Sequence, residues 1–263
     1  MTALALLICV PPVMWLAQTL SLKTCGLPIR YRLDTSGTPE AVRITGRIAT
    51  QGSLAAVALI YPLLRGESII DYYGRLLPMD IRAKQCLFGA GLTVLFLSVL
   101  YLAWVASDMM RVAPHLQRPR TLKRLLVAPC SAAFGAFVEE IIFRGVVMAD
   151  LLRTPSLSIG LVVAISAVVF AGAHYVRSVK RRWTIPGHLA LGFMLSVAFL
   201  RTETLWLAIG LHAGGILMIM SARAVLKYRG PAWLTGESIY PFAGVVGVAG
   251  LLMLTGFIDV HFR

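Results

Sequence analysis

The stretch LLVAPCSAAFGAFVEEIIFRGVVMADLL, residues 125–152, combines a long apolar run with charged residues near its middle. About 20 helical residues cross the hydrocarbon core of a bilayer, so the stretch is long enough to span it as one helix. Two adjacent acids, Glu139 and Glu140, and a cation, Arg144, interrupt the run. A charge at mid-bilayer costs roughly 2.5–3.5 kcal/mol. We therefore expect these side chains to face a protein interior or a wet cavity, and not lipid.

Apolar runs of this kind recur along the whole chain. Of its 263 residues, 58% are hydrophobic and 14% are charged, whereas soluble domains carry about 25% charged residues. Only helices and closed barrels satisfy the backbone in lipid, and the alternating segments of a barrel are absent from the sequence. The sequence predicts an all-α, polytopic membrane helical bundle of about eight transmembrane helices, forming one membrane domain over residues 1–263. The predicted spans are 2–20, 47–64, 86–107, 125–152, 157–175, 186–200, 203–222 and 240–257.

The net charge of +13 follows the predicted loops and does not indicate a nucleic-acid partner. The odd-numbered loops hold 17 Lys and Arg residues and the even-numbered loops hold six. The positive-inside rule then places the odd loops in the cytoplasm and both termini outside. Since the first cation is Lys23, residues 2–20 are predicted to be a retained span and not a signal peptide. We expect a multi-pass integral protein of the cell (plasma) membrane, with membrane lipids as partners and no nucleic acid.

Helical geometry separates the two glutamates. Glu140 and Arg144 are four residues apart, so they share a helix face and can form an ion pair. Glu139 is turned about 100° from Glu140 at 3.6 residues per turn. It is therefore free to face a different partner. The pair Glu140–Arg144 on its own would also be explained by a purely structural role in pinning two helices together.

The five histidines offer partners for these acids. We expect His115, in a basic loop, and His261, in the tail, to be solvated. His188 follows Pro-Gly at a span entrance, which is typical of a helix cap or an interfacial residue. His174 ends the apolar run SAVVFAGAH, and His212 lies within LWLAIGLHAGG. Two histidines and a diacid in neighbouring spans favour a functional site over ordinary core histidines.

Such a set suits hydrolysis inside the membrane. A carboxylate in a low-dielectric site can act as a general base toward water, and a histidine can stabilise an oxyanion. Two histidines and a glutamate can also bind zinc, although the HExxH signature is missing, so a zinc site stays an alternative. A proton-coupled transporter that uses the same residues as a relay is a further alternative.

Three motifs give these residues a family resemblance. EEIIFR (139–144) fits EExxxR, FAGAH (170–174) fits FxxxH, and His212 lies where an HxxxN motif is expected. In order and spacing the sequence resembles the CPBP family, also called Abi, over roughly residues 125–222. These proteins are glutamic intramembrane endopeptidases that include the type II CAAX-prenyl proteases and bacterial relatives linked to bacteriocin processing or immunity.

The resemblance implies a role for each motif residue. Glu139 would activate water with help from His174, and Glu140 and Arg144 would fix the helix and the base. Phe170 would line the substrate pocket, and His212 would stabilise the oxyanion. The family chemistry needs no metal or other cofactor. The substrate would be a protein or peptide reached from the cytoplasmic side, with a lipid-modified C-terminus or the end of a transmembrane segment as the alternatives.

One family position differs in this chain. The asparagine of HxxxN is replaced by Ile216, and the sequence contains no asparagine at all. Losing one oxyanion donor typically lowers the rate 100- to 1000-fold. A catalytically weak or silent relative that acts as an immunity factor or membrane scaffold is therefore the main alternative to an active protease.

Overall fold

The structure, a computed structural model, describes residues 2–33, 37–113, 119–176, 184–236 and 240–262. His115, for which the sequence predicts a solvated position, lies outside these ranges. So do Arg118 in the third predicted loop and four cations of the fifth predicted loop, Arg177, Lys180, Arg181 and Arg182. All residues of the three sequence motifs lie inside them.

Twelve α-helices are described, in chain order α1 to α12. Their bounds are α1 Thr2–Ile8, α2 Val10–Thr24, α3 Glu40–Leu64, α4 Ile69–Leu76, α5 Lys84–Ala106, α6 Pro119–Glu140, α7 Ala149–Leu152, α8 Ile159–Ala173, α9 Ile185–Thr202, α10 Trp206–Val225, α11 Ala232–Thr235 and α12 Val245–His261. Short 3₁₀ turns occupy Ile81–Ala83 and Pro241–Ala243. The predicted all-α membrane bundle is confirmed as a fold class.

Within the described ranges, six helical stretches are long and apolar enough to cross a membrane. They are Thr2–Thr24, Glu40–Leu64, Ile81–Ala106, Leu125–Leu152, Ile185–Thr202 and Trp206–Val225. The other two predicted spans coincide with apolar helices of 15 and 17 residues, α8 and α12, which are shorter than a full crossing. The predicted count of eight transmembrane helices is therefore not confirmed, although every predicted span contains a described helix.

Two short strands pair at one end of the bundle, a feature that the sequence analysis did not predict. β1 (Met110–Val112) runs antiparallel to β2 (Leu226–Tyr228), with Arg111 opposite Lys227. β1 follows α5 after three residues and β2 directly follows α10, so the ribbon joins the ends of these two helices.

Helix α10 lies at the centre of the bundle, where it packs against α5, α6 and α9. Glycines make the contact with α5 unusually close. A Cβ added to Gly210 would lie 2.0 Å from the carbonyl oxygen of Cys86, and one on Gly214 would lie 2.6 Å from that of Ala90. Small residues four apart are typical of tightly packed membrane helices, because they let two backbones approach. His212 lies on a different face of α10, so its side chain contacts other helices.

The helix that carries the diacid changes its winding directly after it. Helix α6 ends at Glu140, and Ile141–Met148 continue as a π-helix that leads into α7. The sequence predicts one helix with 3.6 residues per turn throughout this span. π-Helical turns are rare and frequently occur at functional sites. The hydroxyl of buried Tyr72, on α4, donates a hydrogen bond to the carbonyl oxygen of Gly145 within the π-helix.

A second buried acid fixes the N-terminal helix to the same span. Asp150 accepts hydrogen bonds from the backbone N–H of Ala3 and from the hydroxyl of Tyr61, each at 3.1 Å. The carboxylate lies in the first turn of α7 and is buried. It therefore links α1, α3 and the diacid-bearing span in one cluster.

Candidate active site

The side chains of Glu139, His174 and His212 come together from three different helices. Oε2 of Glu139 lies 3.6 Å from Nε2 of His174 and 3.7 Å from Nε2 of His212. Glu139 is at the end of α6, His174 directly follows α8, and His212 is in the middle of α10. Both distances are longer than a direct hydrogen bond, and they suit a bridging water molecule.

Hydrogen bonds on the other ring nitrogen orient both histidines. Nδ1 of His174 lies 2.8 Å from the carbonyl oxygen of Phe170, and Nδ1 of His212 lies 2.7 Å from Oε1 of Glu140. A carbonyl or carboxylate oxygen only accepts, so each Nδ1 carries the proton. In the neutral ring, Nε2 then presents a lone pair toward Glu139. Three acceptor atoms converge, which favours a proton donor such as water, or a protonated ring, among them.

Glu140 and Arg144 form the ion pair that their spacing predicts, and both side chains are fully buried. Nη1 of Arg144 lies 3.2 Å from Oε1 and 3.1 Å from Oε2 of Glu140. Nη2 of Arg144 donates to the carbonyl oxygen of Gly192 on α9 at 2.8 Å. Partners on both sides compensate the desolvation of the pair. The arginine therefore ties the diacid helix to α9 and holds Glu140 against His212.

The ring of Phe170 supports this cluster from behind. It is fully buried, and its centroid lies 4.7 Å from the His174 ring and 5.8 Å from the His212 ring. The guanidinium carbon of Arg144 lies 4.7 Å from the same centroid, within range of a cation–π contact. The resemblance implies that Phe170 lines the substrate pocket, and this role stays a prediction. Its ring packs against the two histidines, and the lining of the cavity that they face does not include it.

One cavity of about 250 Å³ joins these residues, and we refer to it as the site cavity. Its lining includes Glu139, His174, His188, His212, Ile216 and Arg223. Most of the remaining lining is apolar, from α5, α9, α10 and the segment Tyr240–Leu251. An apolar cavity with a few convergent polar groups is the usual form of a ligand site.

His188 belongs to this cavity, although its sequence context indicated a cap or an interfacial residue. Its ring is buried and lies 4.6 Å from the ring of His174, while its Nδ1 lies 2.9 Å from the carbonyl oxygen of Thr184. A Cβ added to the preceding Gly187 would lie 2.7 Å from Cα of Ala243. The glycine thus lets α9 approach the Tyr240–Ala243 segment closely, which packs His188 beneath Tyr240. This close packing of α9 against the Tyr240–Ala243 segment, which the sequence does not contain, is what distinguishes a cavity-lining His188 from a helix cap.

Ile216 occupies the position of the family asparagine and also lines the site cavity. It lies one turn after His212 on α10, next to Gly215, so a side chain at this position reaches the space that Glu139 faces. The apolar side chain of Ile216 provides no hydrogen-bond donor.

The zinc alternative finds no ligand set among the described residues. In these ranges, no three His, Cys, Asp or Glu side chains are arranged to hold a metal ion. Nδ1 of His174 and Nδ1 of His212 are engaged with Phe170 and Glu140, which is also the usual orientation of histidines that bind a metal through Nε2. The zinc site therefore stays an alternative from the sequence.

A bundle of span-length apolar helices with a diacid, a buried arginine and histidines from separate helices defines a class of membrane protein with an ionisable site between its helices. Residues 121–218 match the sequence model of the Rce1-like family, described as type II CAAX prenyl endopeptidase Rce1-like. The matched segment contains all three motifs, and the predicted resemblance to the CPBP/CAAX-type family is thereby confirmed. No curated protein and no solved structure matches the chain.

Proposed function

We propose that the protein is an intramembrane endopeptidase that hydrolyses a peptide bond through a water molecule activated by Glu139. The observation that carries the proposal is the convergence of Glu139 Oε2 with Nε2 of His174 and of His212 at 3.6 and 3.7 Å in one cavity. The family match supports a protease at the level of the family. The catalytic unit is the segment 125–222 within a single membrane domain.

The reaction needs only these residues and water. The Glu139 carboxylate removes a proton from water, and the oxygen attacks the carbonyl carbon of the substrate to form a tetrahedral oxyanion. His174 accepts a hydrogen bond from the same water and orients it. When the C–N bond breaks, the proton on Glu139 passes to the leaving nitrogen. Collapse gives a carboxylic acid and an amine, and the acid proton then passes to the amine, so the products leave as a carboxylate and an ammonium group.

His212 stabilises the oxyanion in this scheme. A neutral ring with its proton on Nδ1 cannot donate from Nε2, so the ring acts as an imidazolium. The buried Glu140 carboxylate at Nδ1 stabilises that positive charge, and Arg144 holds the carboxylate in place. A charged donor directed at the developing negative charge is the strongest available substitute for the missing asparagine.

The position of the site supports a substrate that arrives from the cytoplasm. Glu139 lies near the middle of its span, whereas His174 and Arg223 lie near the ends of α8 and α10 that adjoin the predicted odd, cytoplasmic loops. We propose that the site cavity opens on that side of the cell membrane. A protein or peptide with an accessible C-terminus, lipid-modified or plain, or the end of a transmembrane segment, would reach it.

The test uses the purified protein in lipid vesicles and a panel of fluorescent peptides ending in Cys-aliphatic-aliphatic-X, each with and without a farnesyl group on cysteine. Mass spectrometry of the products identifies any cleaved bond. We expect a single internal cleavage by the wild type and at least a 10³-fold lower rate for Glu139→Gln. Full cleavage by Glu139→Gln would contradict the proposed base.

Ile216 favours a second candidate function, a catalytically silent relative that acts as an immunity or scaffold protein. Its apolar side chain lines the site cavity where the family has an amide donor. The two candidate functions differ in whether the cell needs the carboxylate of Glu139. Where loss of the gene has a phenotype, an active protease predicts that Glu139→Ala has the same phenotype, whereas a scaffold predicts that Glu139→Ala behaves as the wild type.

A further inference from the structure

The described lining of the site cavity contains two hydroxyl groups, those of Thr93 and Tyr240. Hydroxyl and amide groups are the side-chain donors that commonly stabilise the oxyanion of acyl transfer. The ring of Tyr240 packs on His188 at 4.8 Å, on the side of the cavity that α9 forms. Thr93 lies on α5, which packs against α10. The hydroxyl on the α10 side of the cavity is therefore that of Thr93.

Helices α5 and α10 run in parallel, and their register places Thr93 beside the position that lacks a donor. Their close contacts join Gly210 to Cys86 and Gly214 to Ala90. The residue numbers rise equally on both helices between these contacts. The same register places Thr93 level with residue 217, one position after Ile216. Successive helical residues rise about 1.5 Å, so Thr93 lies at nearly the same depth as Ile216.

Gly215 allows the side chain of Thr93 to lie against α10. A Cβ added to Gly215 would lie 3.5 Å from Cγ2 of Thr93. Thr93, Gly215 and Ile216 line the site cavity together with His212. Thr93 is only 5% exposed, so bulk water does not compete strongly for its hydroxyl. A hydrogen bond to a developing charge is stronger in such a low-dielectric position than in water.

The hydroxyl of Thr93 has a partner that it can release. It donates to the carbonyl oxygen of Gly89, one turn earlier on α5, at 3.2 Å. This distance is longer than the usual 2.5–3.0 Å of hydrogen bonds from hydroxyl groups, so the bond is weak. The Gly89 carbonyl keeps the backbone N–H of residue 93 as its helical partner when the hydroxyl turns away. Rotation about the C–O bond is enough to direct the proton to another acceptor.

We propose that the hydroxyl of Thr93 donates a hydrogen bond to the oxyanion of the tetrahedral intermediate and supplies the donor that Ile216 lacks. The inference rests on the proposed function. Before the reaction the hydroxyl is bonded to Gly89, and it turns to the substrate oxygen as negative charge develops there. Thr93 then acts beside the His212 imidazolium but from the facing helix, and its own proton is not transferred.

Thr93→Val tests the inference, because it replaces the hydroxyl by a methyl group of about the same size. With the panel peptide that the wild type cleaves fastest, we expect kcat to fall about 10- to 100-fold and KM to change little, since the hydrogen bond forms only as the charge develops. Thr93→Ser keeps the hydroxyl and should retain most of the rate. Thr255→Val is the matched control, because the buried Thr255 hydroxyl donates in the same way to Leu251, on α12 and outside the described cavity lining.

Ile216→Asn provides a second readout that a merely structural role of Thr93 would not change. An amide at residue 216 should restore most of the rate that Thr93→Val loses. The gain in the Thr93→Val background should also exceed the gain in the wild type, because two donors that serve the same oxygen are not additive.

Three results would overturn the inference. They are an unchanged kcat in Thr93→Val, an equal loss in Thr93→Val and Thr255→Val, and an equal gain from Ile216→Asn in the two backgrounds. If the wild type cleaves no peptide of the panel, the proposed function fails, and the inference is decided separately. Phosphinate analogues of the panel peptides carry a tetrahedral P–O⁻ group in place of the oxyanion. Fluorescence anisotropy should show weaker binding of these analogues to Thr93→Val than to the wild type, and equal binding would overturn the inference.

Discussion

His212 donates a hydrogen bond from Nδ1 to Oε1 of Glu140 across 2.7 Å, and both side chains are buried. Because Arg144 holds the same carboxylate, the glutamate is fixed in position before any substrate arrives. The pair resembles in its geometry the aspartate–histidine pair of serine hydrolases, in which the acid orients the ring and stabilises its charged form. The diacid thus separates into one residue that faces the site cavity and one that supports a histidine.

Glu140→Gln is therefore expected to lower kcat while leaving substrate affinity nearly unchanged. The amide oxygen can still accept from Nδ1, but a neutral group stabilises the imidazolium much less. By analogy with triad acids we expect a loss of about 10²- to 10⁴-fold. Turnover in vesicles measures kcat, and peptide binding measured by fluorescence anisotropy provides the control. An unchanged kcat would show that the charge on Glu140 is not used in catalysis.

Ile216→Asn should increase the rate, because it returns an amide donor to the site cavity. An oxyanion donor contributes about 100- to 1000-fold in rate, and we expect a gain of at least tenfold, since the donor enters a cavity shaped for isoleucine. Ile219→Asn is the matched control, as it introduces the same group into the same cavity wall one turn further along α10. A gain in both variants, or in neither, would count against the oxyanion position assigned to residue 216.

Tyr72→Phe tests the link between α4 and the π-helix. Burial raises the pKa of Tyr72 to about 12, so its hydroxyl stays a donor to Gly145 throughout the neutral range. Removing it leaves a buried carbonyl without that partner, which costs about 1–3 kcal/mol of unfolding free energy. Tyr73→Phe is the control, because its hydroxyl donates to Ala58 at a partly buried position and its loss should cost less. An equal decrease in melting temperature in the two variants would contradict the larger cost expected for leaving the Gly145 carbonyl without this partner.

Glu67, which lies outside the membrane spans, is expected to make the stability of the protein depend on pH. Its carboxylate accepts from Arg75 and pairs with Arg153 at 2.9 Å, and the Arg75 hydrogen bond holds the pKa of Glu67 below its usual range. A lowered folded-state pKa contributes stability above the unfolded pKa, near pH 4.3, and this stability is lost as pH falls through the folded pKa. The cluster is partly exposed, so the contribution is about 0.2–1 kcal/mol. Glu67→Gln should reduce the difference in melting temperature between pH 6 and pH 3, and an unchanged difference would argue against the ion pair.

The sequence predicted the helical fold because the free energy of lipid transfer acts on whole segments. Eighteen or more apolar residues identify a span whatever its neighbours are. The length of α8 and α12, the π-helix after Glu140 and the β1–β2 ribbon depend on contacts between segments, which hydropathy does not contain. The hydroxyl of Tyr72 meets the π-helix across 73 residues of chain, for example.

The candidate site likewise contains some residues that the sequence alone could select and others that only the packing of the helices brings in. Glu139, Glu140 and Arg144 could be selected from sequence because charges in an apolar span are costly, and His174 and His212 because they share that environment. The structure brings these five side chains together, while their catalytic roles stay predictions. His188 and Arg223 were not selected. A Pro-Gly-His entrance is equally typical of a helix cap, and an arginine at a helix end is expected from topology alone. No local sequence pattern indicates that either residue lines the cavity, because that depends on how α9 and α10 pack.

The central claim is that water activated by Glu139 attacks the peptide bond directly. Its most direct test is a single turnover in H₂¹⁸O, with the enzyme in excess over a cleavable peptide, followed by mass spectrometry of the new carboxylate. The account predicts one ¹⁸O atom in that carboxylate from the first turnover, and no product from Glu139→Gln on the same time scale. An unlabelled first-turnover product, or a Glu139→Gln enzyme as fast as the wild type, would contradict it.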